Sequence, residues 1–123
     1  MVFDHIGFNV TDFQKTKEFL VQSLRPLGLT ITAESEGWAM IGRKGEGQLW
    51  FGSFGSSPGP IHVAFSAASR EQVRQFYAAA LAAGGKDNGA PGLRPHYHAD
   101  YYGAFVIGPD GHNVEAVCHL AEA

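Results

Sequence analysis

The sequence has a single cysteine, Cys118, and no long apolar run. One cysteine excludes an intrachain disulfide and is typical of a protein in the reducing cytoplasm. No apolar stretch approaches the roughly 18–20 residues that a membrane helix needs. Residues 1–5 also lack the basic segment and apolar run of a signal peptide. These absences predict a cytoplasmic protein with no membrane partner.

Positive charge is sparse and scattered. The chain has 9 Lys and Arg against 12 Asp and Glu, a formal net charge of -3, and no basic cluster. Nucleic acid is therefore excluded as a partner, because phosphate contacts need clustered positive charge. Hydrophobic residues make up 45% of the 123 residues, which is enough for the core of one domain. We expect a single domain over residues 1–123.

The chain repeats itself at an offset of 57 residues, the distance from His5 to His62. The same offset, without a gap, aligns four further identical pairs: Phe8 with Phe65, Phe19 with Phe76, Leu24 with Leu81, and Gly28 with Gly85. Five matches in register, over a strand-like run and then a helix-like run, predict a duplicated unit.

Each unit reads as a strand, a helix and three further strands. Thr11 or Asp12 can cap the first helix, which Pro26 and Gly28 end. The second helix begins with the capping-box pattern Ser69-Arg70-Glu71-Gln72 and ends at Gly84-Gly85. Apolar runs between glycine turns predict the other strands at residues 29–33, 38–42, 48–52, 102–107 and 112–118, with a strand of undefined bounds within 86–98. Residues 53–60 form the connector.

Three segments together resemble the vicinal oxygen chelate superfamily, which includes glyoxalases, bleomycin-resistance proteins and extradiol dioxygenases. These segments are Asp4-His5-Ile6-Gly7-Phe8, Ile61-His62-Val63-Ala64-Phe65 and Pro109-Asp110-Gly111-His112-Asn113-Val114-Glu115. The resemblance covers nearly the whole chain and implies an α+β fold. Two βαβββ modules, residues 1–55 and 60–123, would form a cupped mixed β-sheet with the helices outside.

The resemblance also implies a divalent metal held by His5, His62 and Glu115. Strand alternation agrees, because it puts His5 beside the small residue Gly7 on one face. An unpaired carboxylate in the apolar strand around Glu115 would be costly to bury, and a cation would offset that cost. Two imidazoles and a carboxylate suit Zn, Ni, Mn, Fe or Co. The alternative is that both histidines are hydrogen-bonded core residues and Glu115 faces solvent.

The fourth ligand position departs from the glyoxalase pattern, which has Glu or Gln there. Aligning the strand at 48–52 with the strand of Glu115 puts Trp50 opposite that residue, or Gln48 after a two-residue shift. An indole cannot bind a divalent cation, whereas an amide oxygen can do so weakly. Three protein ligands are therefore expected, with Gln48 as a possible fourth. Trp50 at this place resembles fosfomycin-resistance thiol transferases.

Residues 94–103 concentrate polar and aromatic side chains in a proline-containing loop. We predict catalytic roles for His98, Asp100 and Tyr102, which can move protons or orient a substrate oxygen. Tyr101, together with Trp50, is predicted to bind substrate. The alternative is a loop that only packs against the domain or a second subunit. His112 and Cys118, three residues to either side of Glu115, face away from it and are read as structural.

These features favour a metal-dependent lyase or isomerase of the glyoxalase type, acting on a small oxygenated substrate chelated to the cation. Fold alone does not determine function. The alternatives are a non-catalytic drug-binding or small-molecule-binding protein of the bleomycin-resistance type, and a fosfomycin-type thiol transferase. A homodimer is expected, since family members commonly pair modules between chains, which would put His5 and His62 in different subunits.

Overall fold

The computed structural model describes residues 4–44, 46–56 and 59–122, in two consecutive βαβββ units. The first unit contains β1 (Ile6–Asn9), α1 (Phe13–Leu24), β2 (Thr30–Ser35), β3 (Trp38–Arg43) and β4 (Glu46–Gly52). The second contains β5 (His62–Ser66), α2 (Arg70–Ala82), β6 (Lys86–Leu93), β7 (Tyr102–Ile107) and β8 (Asn113–Cys118). Short 3₁₀ turns, Arg25–Leu27 and Pro109–Gly111, follow α1 and β7. Ser57 and Pro58 of the predicted connector lie outside the described residues.

Each unit forms its own four-stranded mixed sheet, which confirms the α+β class. The strand orders are β1-β4-β3-β2 and β5-β8-β7-β6, with β1 parallel to β4 and β5 parallel to β8. In the first sheet Gly7 pairs with Trp50, and in the second Ala64 pairs with Glu115. Since Gly7 and Ala64 are related by the 57-residue repeat, Trp50 occupies the position equivalent to Glu115.

The helix boundaries follow from the capping residues. Asp12 begins α1 by accepting a hydrogen bond from the Lys15 N–H at 3.0 Å. After α1, the Arg25–Leu27 3₁₀ turn ends at Gly28, whose φ of +79° is a left-handed conformation that glycine adopts without a steric penalty. Ser69 caps α2 in the same way as Asp12, by accepting from the Gln72 N–H at 3.1 Å. No helix among the described residues is long and apolar enough to cross a membrane.

The core lies between the helices and one face of each sheet. Phe19 of α1 and Phe76 of α2 are almost completely buried, and the two helices contact each other. Alternate residues of β7 and β8 complete this core: Ala104, Val106, Val114, Ala116 and Cys118. The residues between them, including Phe105 and Glu115, therefore face the other way. We call that side of the second sheet the open face.

The turn between β7 and β8 joins the two units. The Asp110 carboxylate accepts a hydrogen bond from the Thr11 N–H at 2.8 Å, and Asp110 itself has φ +62°. His112, only 3% exposed, accepts from the Ile61 N–H through Nδ1 at 3.0 Å and packs edge-on against Phe8. This arrangement confirms the structural interpretation of His112.

The segment with an undefined strand resolves into β6 and a loop. β6 covers Lys86–Leu93, and its pairing with β7 is irregular between Asp87 and Gly89 and again between Gly89 and Gly92. The residues that follow, 94–101, form a loop closed by a hydrogen bond from the Arg94 N–H to the Tyr101 carbonyl at 2.7 Å. Glycine and proline in β6 weaken the alternating pattern that would have defined it from sequence.

Candidate functional site

Glu115 is the buried carboxylate of the open face. It lies on β8 between the core residues Val114 and Ala116 and is only 1% exposed. The residues paired with it across the sheet are Ala64 on β5 and Phe105 on β7. A carboxylate this deeply buried is stable only if its oxygens have partners. The site is therefore defined by what bonds to those two oxygens.

Among the described residues, each oxygen of Glu115 has one hydrogen-bond partner. Nε2 of His62 lies 2.8 Å from Oε1, and the Tyr101 hydroxyl donates a short hydrogen bond to Oε2. The His62 side chain is 51% exposed, so the pair has one buried and one accessible member. His62 also lines a cavity of about 580 Å³ between β1 and β5. A small molecule can therefore approach the pair from the side of His62.

Tyr101 is held as a hydrogen-bond donor. Burial raises the pKa of Tyr101 well above its ordinary value, and its hydrogen bond to the Glu115 carboxylate raises it further. The phenol therefore stays protonated throughout the physiological pH range. Gly103 leaves room for this contact, because a Cβ there would lie 3.2 Å from Cε1 of Tyr101 and 3.3 Å from Oε2 of Glu115.

Three aromatic rings support Tyr101. The ring centroids of Tyr97, His98 and His119 lie 4.8, 5.4 and 5.3 Å from that of Tyr101, all three edge-on. His98 and His119 also stack on each other at 4.9 Å. The 94–101 loop and the segment after β8 together cover the carboxylate, which explains its burial on an otherwise open face.

The hydrogen bonds of His98 determine its tautomer. Its Nδ1 accepts from the Asp100 N–H at 3.1 Å, so in the neutral ring the proton is on Nε2. Nε2 lies 2.6 Å from Nδ1 of His119 and donates to it. The lone pair of each neutral ring, on Nδ1 in both histidines, therefore already accepts a hydrogen bond. In this arrangement neither ring is free to act as a base or a metal ligand.

The site residues predicted in the first unit, His5, Gln48 and Trp50, contact other groups than Glu115. His5 is 54% exposed at its side chain, and its Nδ1 lies 2.7 Å from Oδ1 of Asp4. His5 and Gln48 line a common cavity of about 210 Å³. Trp50 lies against Gly7 and Gly52, where Cβ atoms would come within 3.2 and 2.7 Å of its indole. Its ring also stacks on Phe54, with centroids 6.2 Å apart.

The residues of one chain fit part of the predicted metal site. Two ligands each about 2.0–2.2 Å from an ion, at an angle near 90°, lie about 3 Å apart. The 2.8 Å between His62 Nε2 and Glu115 Oε1 matches such a pair. His5 does not join them: within residues 4–44, 46–56 and 59–122, no three His, Cys, Asp or Glu side chains gather closely enough to hold an ion.

The three side chains predicted to be catalytic divide between two faces. His98 packs beside Tyr101, and the half-buried Asp100 lies in the same loop. Tyr102, in contrast, faces the helices: its hydroxyl accepts from Nη1 of Arg74 at 3.2 Å, and Arg70 lies 5.2 Å above its ring. The structure therefore does not bring Tyr102 to Glu115, and it is not part of the site.

One residue of the site, His119, was not predicted from the sequence. His119 supports Tyr101 and His98, although it follows the last strand in a short polar segment. A signal was present, because Glu115, Val117 and His119 alternate along one face of an extended chain. Nothing in the pattern, however, linked it to a loop about twenty residues earlier.

The chain shares this architecture with solved structures. A glyoxalase/bleomycin resistance protein from Albidiferax ferrireducens T118 has a TM-score of 0.83 and 26% identity, covering 96% of this chain and 99% of its own. A glyoxalase/bleomycin resistance protein/dioxygenase family enzyme from Burkholderia phytofirmans PsJN has a TM-score of 0.73 and 18% identity, with 95% and 98% covered. At that lower identity the likeness concerns the fold alone.

No curated protein matches the chain. The family model described as Glyoxalase/Bleomycin resistance protein/Dioxygenase superfamily matches residues 2–116. That span covers both βαβββ units except the last two residues of β8, and it contains His5, His62 and Glu115. The chain belongs to the glyoxalase/bleomycin resistance protein/dioxygenase superfamily.

Proposed function

We propose that this protein is a metal-dependent enzyme of the glyoxalase type, a lyase or isomerase acting on a small oxygenated substrate. His62 and Glu115 supply two ligands of a divalent cation, which is Zn, Ni, Mn, Fe or Co. The observation that carries the proposal is the 2.8 Å pair of an accessible imidazole and a fully buried carboxylate on the open face. A buried carboxylate with an imidazole beside it forms an N/O ligand pair that suits these cations.

The third ligand in this proposal is His5 of a second copy of the chain. Its Nδ1 faces Asp4, the arrangement in which a carboxylate holds the Nδ1 proton and leaves the lone pair on Nε2 for a metal. The His5 side chain is half exposed and lies apart from Glu115 within its own chain. A symmetric homodimer would contain two such sites, each with His5 from one subunit and His62 with Glu115 from the other.

The bound cation would act as a Lewis acid on vicinal oxygens of the substrate. Tyr101 holds Oε2 of Glu115 and leaves Oε1 facing His62. Because its pKa is raised, Tyr101 keeps its proton and does not act as the base. His98 and His119 occupy each other's lone pairs. Asp100 is the one carboxylate of the 94–101 loop, whose Tyr101 contacts Glu115, so we assign it the role of proton acceptor.

Metal analysis of purified protein tests the proposal. We expect about one divalent cation per chain in the wild type and loss of most of it in His62→Ala and Glu115→Gln. His96→Ala, which changes an exposed histidine of the 94–101 loop, is the matched control and should keep its metal. Full metal content in Glu115→Gln would contradict the assignment.

Mixing variants tests whether the site is shared between subunits. His5→Ala and Glu115→Gln should each bind little metal alone. After subunit exchange at equal concentrations, half of the dimers are mixed and each contains one intact site, so about a quarter of the wild-type metal content should return. If each site lay within one chain, mixing would restore none.

A second candidate is a non-catalytic binder of a flat small molecule. The stacked pair Trp50 and Phe54 favours it, because the Phe54 side chain is 64% exposed and offers an aromatic surface. Metal content separates the two candidates. A metal-free protein in which Trp50→Ala abolishes ligand binding, and Glu115→Gln does not, would favour the binder.

A further inference from the structure

Arg94 lies on the open face, close to Glu115. Its guanidinium is positioned 5.4 Å above the ring of Phe105, the residue paired directly with Glu115 across the sheet. The His62 ring lies 6.2 Å from the same Phe105 ring. The positive charge is near enough to Tyr101 to oppose the rise in its pKa. A cation, an imidazole and a carboxylate therefore surround one phenylalanine.

β6 is shaped to hold this arginine. A Cβ at Gly89 would lie 2.9 Å from Cδ1 of Phe105 and 3.1 Å from Nη2 of Arg94. A Cβ at Gly92 would lie 3.2 Å from Nη1. The pairing of β6 with β7 is irregular at both glycines. A larger residue at either position would require the guanidinium to shift by a few tenths of an ångström.

Within the described part of the chain, only uncharged backbone carbonyls accept hydrogen bonds from the Arg94 guanidinium. Nη1 donates to the Gly92 carbonyl and Nη2 to the Ala90 carbonyl, both at 2.9 Å. A longer contact of 3.5 Å reaches the Leu93 carbonyl. In residues 4–44, 46–56 and 59–122, Arg94 forms no salt bridge and its Nε–H has no protein acceptor. The donors on the Nε side remain available to a ligand.

Arg74 is a useful comparison on the opposite face of β7. It lies 5.8 Å above the ring of Tyr102, the same kind of cation–π contact. Its Nε, however, donates to the Glu71 carboxylate at 2.8 Å. The two arginines therefore differ in one respect: the Glu71 carboxylate pairs with Arg74, whereas no carboxylate of the described residues pairs with Arg94.

We propose that Arg94 binds an oxyanion, a carboxylate or phosphate group, of the small molecule that the Glu115 site accepts. The inference names a substrate class and so rests on the proposed function. A guanidinium held flat, with donors free along one edge, matches the geometry of such groups. Arg94 lies beside His62 and Glu115, the two proposed ligands of the cation, and is not itself a ligand. In this proposal, the anionic group of the substrate is separate from the oxygens that bind the cation.

The test uses the full chain after removal of metal with a chelator, so that the cation cannot bind the probe. Inorganic phosphate, acetate and the neutral acetamide are titrated against ¹⁵N-labelled protein by NMR. We expect saturable shifts at the amides of Gly92 and Phe105 with phosphate and acetate, and none with acetamide. Arg94→Gln, which keeps a donor but loses the charge, should weaken phosphate binding at least about tenfold, and Arg94→Lys should weaken it less.

Arg74→Gln is the matched control, with the same loss of charge above a ring of the same strand, and should bind phosphate like the wild type. Equal phosphate affinity in Arg94→Gln and the wild type would overturn the proposal, as would acetamide shifts equal to those of acetate. Phosphate binding lost equally in Arg74→Gln would mean a general charge effect and would also overturn it. Unchanged amide spectra away from β6 confirm that each variant is folded.

Metal content of the same variants separates this inference from the proposed function. Arg94→Gln should keep its metal, and His62→Ala should lose metal while its metal-free form still binds phosphate. If the protein binds metal as expected but Arg94→Gln does not change the phosphate affinity, only the oxyanion site is rejected. Phosphate binding at Arg94 in a protein that takes up no metal would reject the proposed enzyme alone.

Discussion

The Tyr101 hydroxyl and His62 Nε2 bind opposite oxygens of Glu115, so a residue from the loop and a residue from β5 meet at one buried carboxylate. Neither contact alone satisfies both oxygens. Removing the tyrosine donor leaves Oε2 buried without a hydrogen-bond donor among the residues that the structure describes. The cost of such a loss is that of desolvating a charged acceptor.

We therefore predict that Tyr101→Phe lowers the free energy of unfolding by about 1–3 kcal/mol. The measurement is urea denaturation monitored by circular dichroism. Tyr97→Phe is the control, because the Tyr97 side chain is 58% exposed and its hydroxyl makes no hydrogen bond within the described residues. A loss of stability in Tyr97→Phe as large as that in Tyr101→Phe would argue against a specific role for the buried contact.

Asp100→Asn should lower turnover by about 100-fold or more if this carboxylate accepts the substrate proton. His98→Ala should have a smaller effect, since His98 supports the Tyr101 ring and has no free lone pair. Both variants should keep the wild-type metal content. Turnover is measured on a panel of 2-oxoaldehydes and α-hydroxy ketones. Tyr102→Phe, on the helix side, should leave turnover unchanged; equal losses in Tyr102→Phe and Asp100→Asn would refute this division of roles.

His112 should make the protein sensitive to acid. Burial lowers the pKa of His112, and the nearby Asp110 carboxylate only partly opposes this. The unfolded chain then binds the proton more tightly than the folded one. The contribution of neutral His112 to the free energy of unfolding is therefore complete above the unfolded-state pKa of about 6.5. It is lost as the pH falls below that value.

His112→Asn removes the titration and keeps an acceptor for the Ile61 N–H. We expect its urea midpoint to fall less than that of the wild type between about pH 7 and pH 5. His96→Asn, at an exposed site, should follow the wild-type profile. Parallel pH profiles for His112→Asn and the wild type would show that His112 does not carry the acid sensitivity.

Gly108→Ala should destabilise the packing of the second unit against Phe19 of the first. A Cβ at Gly108 would lie 2.7–3.1 Å from three atoms of the Phe19 ring, so the ring must move. Overpacking of this kind costs about 1–3 kcal/mol. In a double-mutant cycle, Gly108→Ala should cost less in a Phe19→Leu background, where the ring is absent. Simple additivity would mean that the contact with Phe19 is not the cause.

Much of the fold was predictable because it depends on local periodicity. The 57-residue repeat aligned His5 with His62, and the strand pairings of the structure make Trp50 equivalent to Glu115, although these two residues do not share that offset. The pairing puts Trp50, and not Gln48, at the position equivalent to Glu115, which the sequence had left open. Local patterns also predicted the Ser69 cap and left the first cap between Thr11 and Asp12, of which the structure uses Asp12. β6 was the exception, since its glycines and proline interrupt the alternation.

The sequence by itself determined the two-unit fold and the sheet face of residues such as His62 and Glu115, because strand alternation assigns each residue to a face. Only the tertiary structure decided that Tyr101, and not Tyr102, reaches Glu115, because the face of a residue at a loop boundary depends on how the loop closes. It also brought His119 to His98 and laid Arg94 over Phe105. These contacts join residues far apart in the chain or across an irregular strand, where no local period carries the information.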